Sequence, residues 1–117
     1  MARVALFIPD LLFGSNVVGA VQAAGHEAVL VADADVLRRE LPRAQALIVD
    51  LTSDAGERIE QVRLAAPPGL RTLAYYSHVE ADVREQAEQA GYALVVPRSR
   101  MAREGGALVD RLLSPSA

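Results

Sequence analysis

Four polar residues, each standing just behind an apolar run, carry the chemistry open to this chain: Asp10, Asp50, Ser77 and Arg98. Asp10 follows the run 4–8 through Pro9, and Asp50 closes the run 46–49. Ser77 follows 71–76, and Arg98 follows 92–96 through Pro97. Two carboxylates can share a divalent cation, or one of them can act as a nucleophile. A hydroxyl and a guanidinium can hold the oxyanion that such a nucleophile receives. Each residue also has a plainer structural role. Asp50 can end a strand and open a turn, and Asp10 can complete a turn after Pro9. Ser77 can cap a helix or close an ST-turn, and Arg98 can pair with Asp50 at the surface. His78, beside Ser77, reads either as a satisfied, partly buried side chain or as a sensor of pH or phosphate. The only other histidine, His26, falls in a helix-to-strand turn, is expected to face solvent, and has no i,i+4 partner for a metal.

The elements that must position these groups alternate regularly. Val4–Ile8 is apolar at every position, the pattern of a strand covered on both faces. Ser15 is the expected N-cap of a helix that turns Val17, Val21 and Ala24 inward, and Gly25 stops it. A second strand at 27–31 has the mixed composition of an edge. Asp33 or Asp35 caps a short helix carrying Val36, Leu37 and Leu41, which Pro42 ends. The third strand, 46–49, closes on Asp50. Thr52, Ser53 and Asp54 offer caps for a helix that buries Ile59, Val62 and Ala66, and Pro67-Pro68-Gly69 breaks it. The fourth strand spans 71–76, with Tyr75 and Tyr76 on opposite faces of the sheet and a partner-binding role open to the less buried ring. A helix over about 80–90, a strand at 92–96 and a last helix carrying Leu108 and Leu112 complete the series. Gly105-Gly106 weakens the first half of that last helix, and residues 114–117 are expected to fray.

Five β-α units at short spacing predict a flavodoxin-like, doubly wound, five-stranded parallel sheet of order 2-1-3-4-5 with helices on both faces. In such sheets ligands meet the carboxyl ends of the strands, where Asp10, Asp50, Ser77 and Arg98 would share one rim. The 117 residues fit a single domain, 1–117, and 51% hydrophobic content supplies its core.

Composition removes several classes of function. With no cysteine there is no disulfide, zinc-thiolate site or thiol nucleophile. All 12 basic Lys+Arg residues are arginine, which leaves the amino terminus as the sole amine nucleophile. The net charge is -3 and no basic tract occurs, so no nucleic-acid role is expected. No apolar stretch has transmembrane or signal-peptide length; a cytoplasmic location and no membrane partner are expected. No Gly-rich phosphate loop or nucleophile elbow occurs. Gly14-Ser15-Asn16, ahead of the expected helix, is a weak anion-binding candidate.

Ala5-Leu6-Phe7-Ile8-Pro9-Asp10, Ala46-Leu47-Ile48-Val49-Asp50, Leu73-Ala74-Tyr75-Tyr76-Ser77 and Val95-Val96-Pro97-Arg98-Ser99 together resemble the four signature segments of a response-regulator receiver domain of two-component signalling, of the chemotaxis-receiver type. The resemblance runs over nearly the whole chain. It implies that Asp50 stands at the phospho-acceptor position, that Asp10, Asp50 and the Thr52 carbonyl are the available Mg²⁺ ligands, that Ser77 would bind a phosphoryl oxygen, and that Arg98 would offset its charge. The departures are specific. Pro9 replaces the first acidic residue, and Arg98-Ser99 stands where the family has Lys-Pro. His78 replaces a small residue, and Leu51-Thr52-Ser53-Asp54 lacks the family's Met-Pro. Val95 occupies the aromatic switch position of the last strand. An atypical or pseudo-receiver is therefore expected: a non-enzymatic, stand-alone signalling domain acting through protein contacts, with an unknown protein or a second copy of itself as partner. Apart from Mg²⁺, no cofactor is implied. The alternative is a small-molecule or anion-binding module on the same rim; an enzyme of the same fold ranks last.

Overall fold

The computed structural model describes residues 1–77 and 81–114. Its strands are β1 (Arg3–Phe7), β2 (Glu27–Val31), β3 (Ala46–Asp50), β4 (Arg71–Tyr76) and β5 (Leu94–Pro97). Its helices are α1 (Leu11–Ala23), α2 (Ala34–Glu40), α3 (Ala55–Ala65), α4 (Ala81–Gln89) and α5 (Arg98–Leu113). All strand pairs are parallel and the order is β2-β1-β3-β4-β5, as the β-α alternation predicts. His78, Val79, Glu80 and the last three residues, and with them the readings made of His78 and of the extreme tail, lie outside the described residues.

Alternation along the strands divides the core in two. Val4, Leu6, Ile48, Leu73 and Tyr75 face α1 and α5, which supply Phe13, Val17, Val21, Met101, Leu108 and Leu112. Ala5, Phe7, Leu47, Val49, Ala74 and Tyr76 face Leu37, Val62, Val83 and Ala87 of α2, α3 and α4. The two tyrosines do split between the faces, but both are buried, so neither ring is free for a partner. β2 is an edge strand, as its composition predicts, with Leu30 left exposed.

Several boundaries differ from expectation, each for a local reason. Helix α1 begins at Leu11, capped by Asp10 rather than Ser15, whose hydroxyl instead donates to the Leu11 carbonyl at 2.9 Å. Pro42 sits inside a 3-10 turn, Leu41–Arg43, that extends α2; its missing N–H costs nothing in a first turn. His26 is half-buried rather than solvent-facing: its Nδ1 accepts the Ala2 amide at 3.0 Å. In α5, Glu104 leaves helical geometry (φ -123°, ψ 21°) just before Gly105. A Cβ on Gly105 would lie 3.1 Å from the Cβ of Ala20, so the glycine lets α5 press against α1. At the other end of the same pair of helices, Arg98, which opens α5, stands beside Asp10, the N-cap of α1.

Candidate functional site

The carboxyl ends of the strands carry two carboxylate–guanidinium pairs, and only one of them involves partners that the sequence reading had considered together on the rim. The first is built on Asp10. Its backbone is extended at the N-cap (φ -71°, ψ 107°), and Oδ1 accepts the amides of Leu12 at 3.0 Å and Phe13 at 3.2 Å. A carboxylate here is favourable because it meets unpaired N–H groups at the positive end of the helix. The second oxygen, Oδ2, stands 3.8 Å from Nη2 of Arg98, with both side chains about half exposed. Arg98 is the first residue of α5, where a positive charge opposes the helix dipole. Asp10 offsets that cost, as does the face of Phe13, whose ring centre lies 4.1 Å from the guanidinium carbon.

The second pair is buried. Asp50 is 5% exposed at the end of β3. Its Oδ1 accepts the Thr52 amide at 2.8 Å and the Thr52 hydroxyl at 2.6 Å, a turn closed by the acid's own side chain. Arg58 reaches the same place from α3. Its Nη1 donates to the Asp50 main-chain oxygen at 2.6 Å and lies 3.8 Å from Oδ1, while Nη2 donates to the Ser53 hydroxyl at 3.3 Å. Arg58 is 9% exposed. Asp54, at the N-cap of α3, is left-handed (φ 51°, ψ 38°) and caps nothing with its side chain. Thr52, Ser53 and Asp54 thus do not act as side-chain helix caps as expected; Thr52 and Ser53 instead serve the Asp50–Arg58 cluster.

Tyr75 lies between the two pairs. It is the register partner of Asp50 on the neighbouring strand, and its ring packs against Phe13 with centres 5.1 Å apart. The side chain is fully buried, and its hydroxyl, although beside the Asp50 carboxylate, has no hydrogen-bond partner in normal geometry. Burial first, and then the charge of Asp50, push the phenol well above its ordinary value; Arg98 pulls the other way. Ser77 follows β4, half-buried at the same edge.

Two sequence readings change here. Arg98 pairs with Asp10 and not with Asp50, because the α1–α5 crossing places it over Phe13. Gly14-Ser15-Asn16 offers no anion nest: these residues lie inside α1, and the Gly14 amide is spent on the Asp10 carbonyl at 2.8 Å. Arg58 is the residue that sequence reasoning missed. Its signal was a charge four residues before Val62, on the inward stripe of an amphipathic helix.

The residues present do not fit Mg²⁺. That ion asks for near-octahedral oxygen coordination, usually with one or two free carboxylates. Of the expected ligands Asp10, Asp50 and the Thr52 carbonyl, Asp10 Oδ1 is spent on two amides, Asp50 Oδ1 on the amide and hydroxyl of Thr52, and each carboxylate stands 3.8 Å from a guanidinium, while Pro9 brings no side-chain oxygen. Among the described residues no group of three or more acids or histidines comes together in a metal-binding arrangement.

No protein-family model and no curated protein matches the chain. Solved structures do. A response regulator receiver protein from Burkholderia phymatum superposes with a TM-score of 0.82 at 20% identity, over 100% of this chain and 98% of its own. The non-phosphorylated HemR receiver domain from Leptospira biflexa gives 0.80 at 14%, covering 100% and 98%. The chemotaxis protein CheY4 of Vibrio cholerae gives 0.76 at 15%, covering 97% and 99%. The chain therefore has the fold of response-regulator receiver domains. A shared fold defines the frame, and what the frame does rests on the site.

Proposed function

We propose that this chain is an atypical receiver-like signalling domain, spanning 1–117, that acts in the cytoplasm through protein contacts without relying on phosphate. The observation that carries this reading is the state of Asp50. At the receiver acceptor position, the carboxylate is buried, holds two hydrogen bonds from Thr52 and faces the Arg58 guanidinium. All of these contacts fall on Oδ1; they draw the carboxylate charge toward Thr52 and Arg58 and hold the side chain, which is 7% exposed, in one orientation, and both effects weaken it as a nucleophile. The pairing of Arg98 with Asp10 supports the same reading, since the cation that would offset a phosphoryl group already has a counterion. Were a phosphodonor such as acetyl phosphate to reach Asp50, a carboxylate oxygen would bond to phosphorus as the donor's P–O bond breaks and acetate leaves, with Ser77 and Arg98 as the groups at hand for the phosphoryl oxygens.

The contact surface favoured by this reading is the rim itself. Leu11 and Leu12, next to Asp10 in the first turn of α1, are 73% and 79% exposed. Adjacent large apolar side chains beside a charged rim suit a protein partner, either a separate chain or a second copy of this one. A small-molecule role on the same rim draws less support. A cavity of about 450 Å³ lies instead between α3 and α4, near Ile59, Val62, Gln86 and Tyr92, away from the rim.

The test is treatment with a small phosphodonor such as acetyl phosphate, with Mg²⁺ present, read by intact mass. The expected result is no phosphoryl adduct. Stoichiometric labelling that disappears in Asp50→Asn would overturn the phosphate-independent reading.

A further inference from the structure

We infer that the Arg58 guanidinium is a built-in replacement for a divalent cation beside Asp50, so that the site is neutralised by the chain itself and rejects Mg²⁺. This deepens the receiver-like reading and rests on it for the identity of the Asp50 position. The oxygens that surround Arg58 are of the kind a hard cation would collect: a main-chain carbonyl at 2.6 Å, a hydroxyl at 3.3 Å and a carboxylate at 3.8 Å. Arg58 also shares a cleft of about 230 Å³ with Pro9, the position where an acidic residue is missing; Asp33, Asp54 and Glu57 line the same cleft, and Arg58 is the cation among its lining residues. The position without an acid and the guanidinium thus meet in one cleft. A receiver that has given up a metal ligand must still compensate the buried Asp50 charge, and arginine is almost never buried without such a partner. Once Arg58 is in place, a dication approaching Asp50 Oδ1 meets a positive charge already 3.8 Å from that oxygen, on side chains only 11% and 7% exposed.

The test follows thermal unfolding of the full chain while MgCl₂ is added, and reads the Mg²⁺-dependent shift as the difference between wild type and Asp50→Asn. The wild-type chain should show no such difference. Arg58→Met keeps the length of the side chain and removes its charge. It should lower Tm by roughly 10 °C or more, since a buried carboxylate is left uncompensated. Added Mg²⁺ should then return several degrees of that loss, and Arg58→Met with Asp50→Asn should return it without metal. If Arg58→Met does not fold, the double variant should, as judged by circular dichroism. An Asp50-dependent rise of Tm with Mg²⁺ in the wild type would overturn the inference. So would a double variant no more stable than Arg58→Met. Neither result bears on phosphodonor labelling, so a failure here is distinct from a failure of the phosphate-independent reading.

Discussion

In Asp50–Arg58 and Asp10–Arg98 the carboxylate and guanidinium stand equally far apart, 3.8 Å, yet the pairs belong to different physical regimes. The first pair is 7% and 11% exposed in its side chains, the second 52% and 49%. In the second, water screens both charges and either side chain can turn away, so the pair contributes at most about 1 kcal/mol. In the first, both side chains are nearly withdrawn from water, so removing one strands the charge of the other. Distance alone would rank them equal; burial shows which one the molecule depends on.

The sharpest way to break the comparison is to remove one guanidinium at a time. Arg58→Met should destabilise the domain by about 3–5 kcal/mol in urea or thermal unfolding, because it strands a buried carboxylate. Arg98→Met should cost no more than about 1–2 kcal/mol, combining a half-exposed ion pair with the contact on Phe13. Equal losses would mean that burial does not separate the pairs. Asp10→Ala should cost about 1 kcal/mol, chiefly as a lost helix cap. Asp10→Ser should recover most of that loss, as measured by urea unfolding, although it cannot pair with Arg98.

The buried end can be sharpened through Tyr75. Its phenol stays protonated in the folded chain well above the value of about 10 at which an unfolded tyrosine ionises. A raised acid of this kind gives stability that is complete below the unfolded value and is lost as pH climbs above it. Tyr92, pushed up to about 12 by burial, acts in the same direction. Tyr75→Phe should therefore flatten the fall of stability above pH ~10. At neutral pH it should raise stability by about 1 kcal/mol, since it removes a buried hydroxyl that has no partner. A steeper alkaline loss in this variant would contradict the assignment. The smallest effect is that of salt. Raising ionic strength from about 0.1 to 1 M shortens the screening length from about 10 to 3 Å. It should erase the coupling between Asp10 and Arg98 in a double-mutant cycle and leave that between Asp50 and Arg58 nearly intact.

Much of the frame was legible because local chemistry decided it. Apolar runs such as 46–49, breakers such as Pro67-Pro68-Gly69 and the regular spacing of β-α units left one sheet order as the natural solution, and that order is observed. The rim residues were legible for the same reason, since each follows a strand. The start of α1 was misplaced because Leu11 and Leu12 are apolar yet exposed, so periodicity pointed to Ser15 while the unpaired amides were met by Asp10. Arg58 was passed over because charge is ordinarily a mark of a solvated face, and only the carbonyl end of β3 turns its position in α3 into an interior one.

By itself, then, the sequence determined which segments are strands and that Asp10, Asp50, Ser77 and Arg98 each follow one, because hydrophobic period and turn chemistry act over a few residues; the crossover rules made the observed strand order the expected one. Which guanidinium serves which carboxylate was decided only by tertiary structure. The crossing of α5 over α1 carries Arg98 to Asp10, and the docking of α3 brings Arg58 beneath Asp50. Ion pairing depends on where helices come to rest and on how much water they exclude, and neither is written in the spacing of residues along the chain.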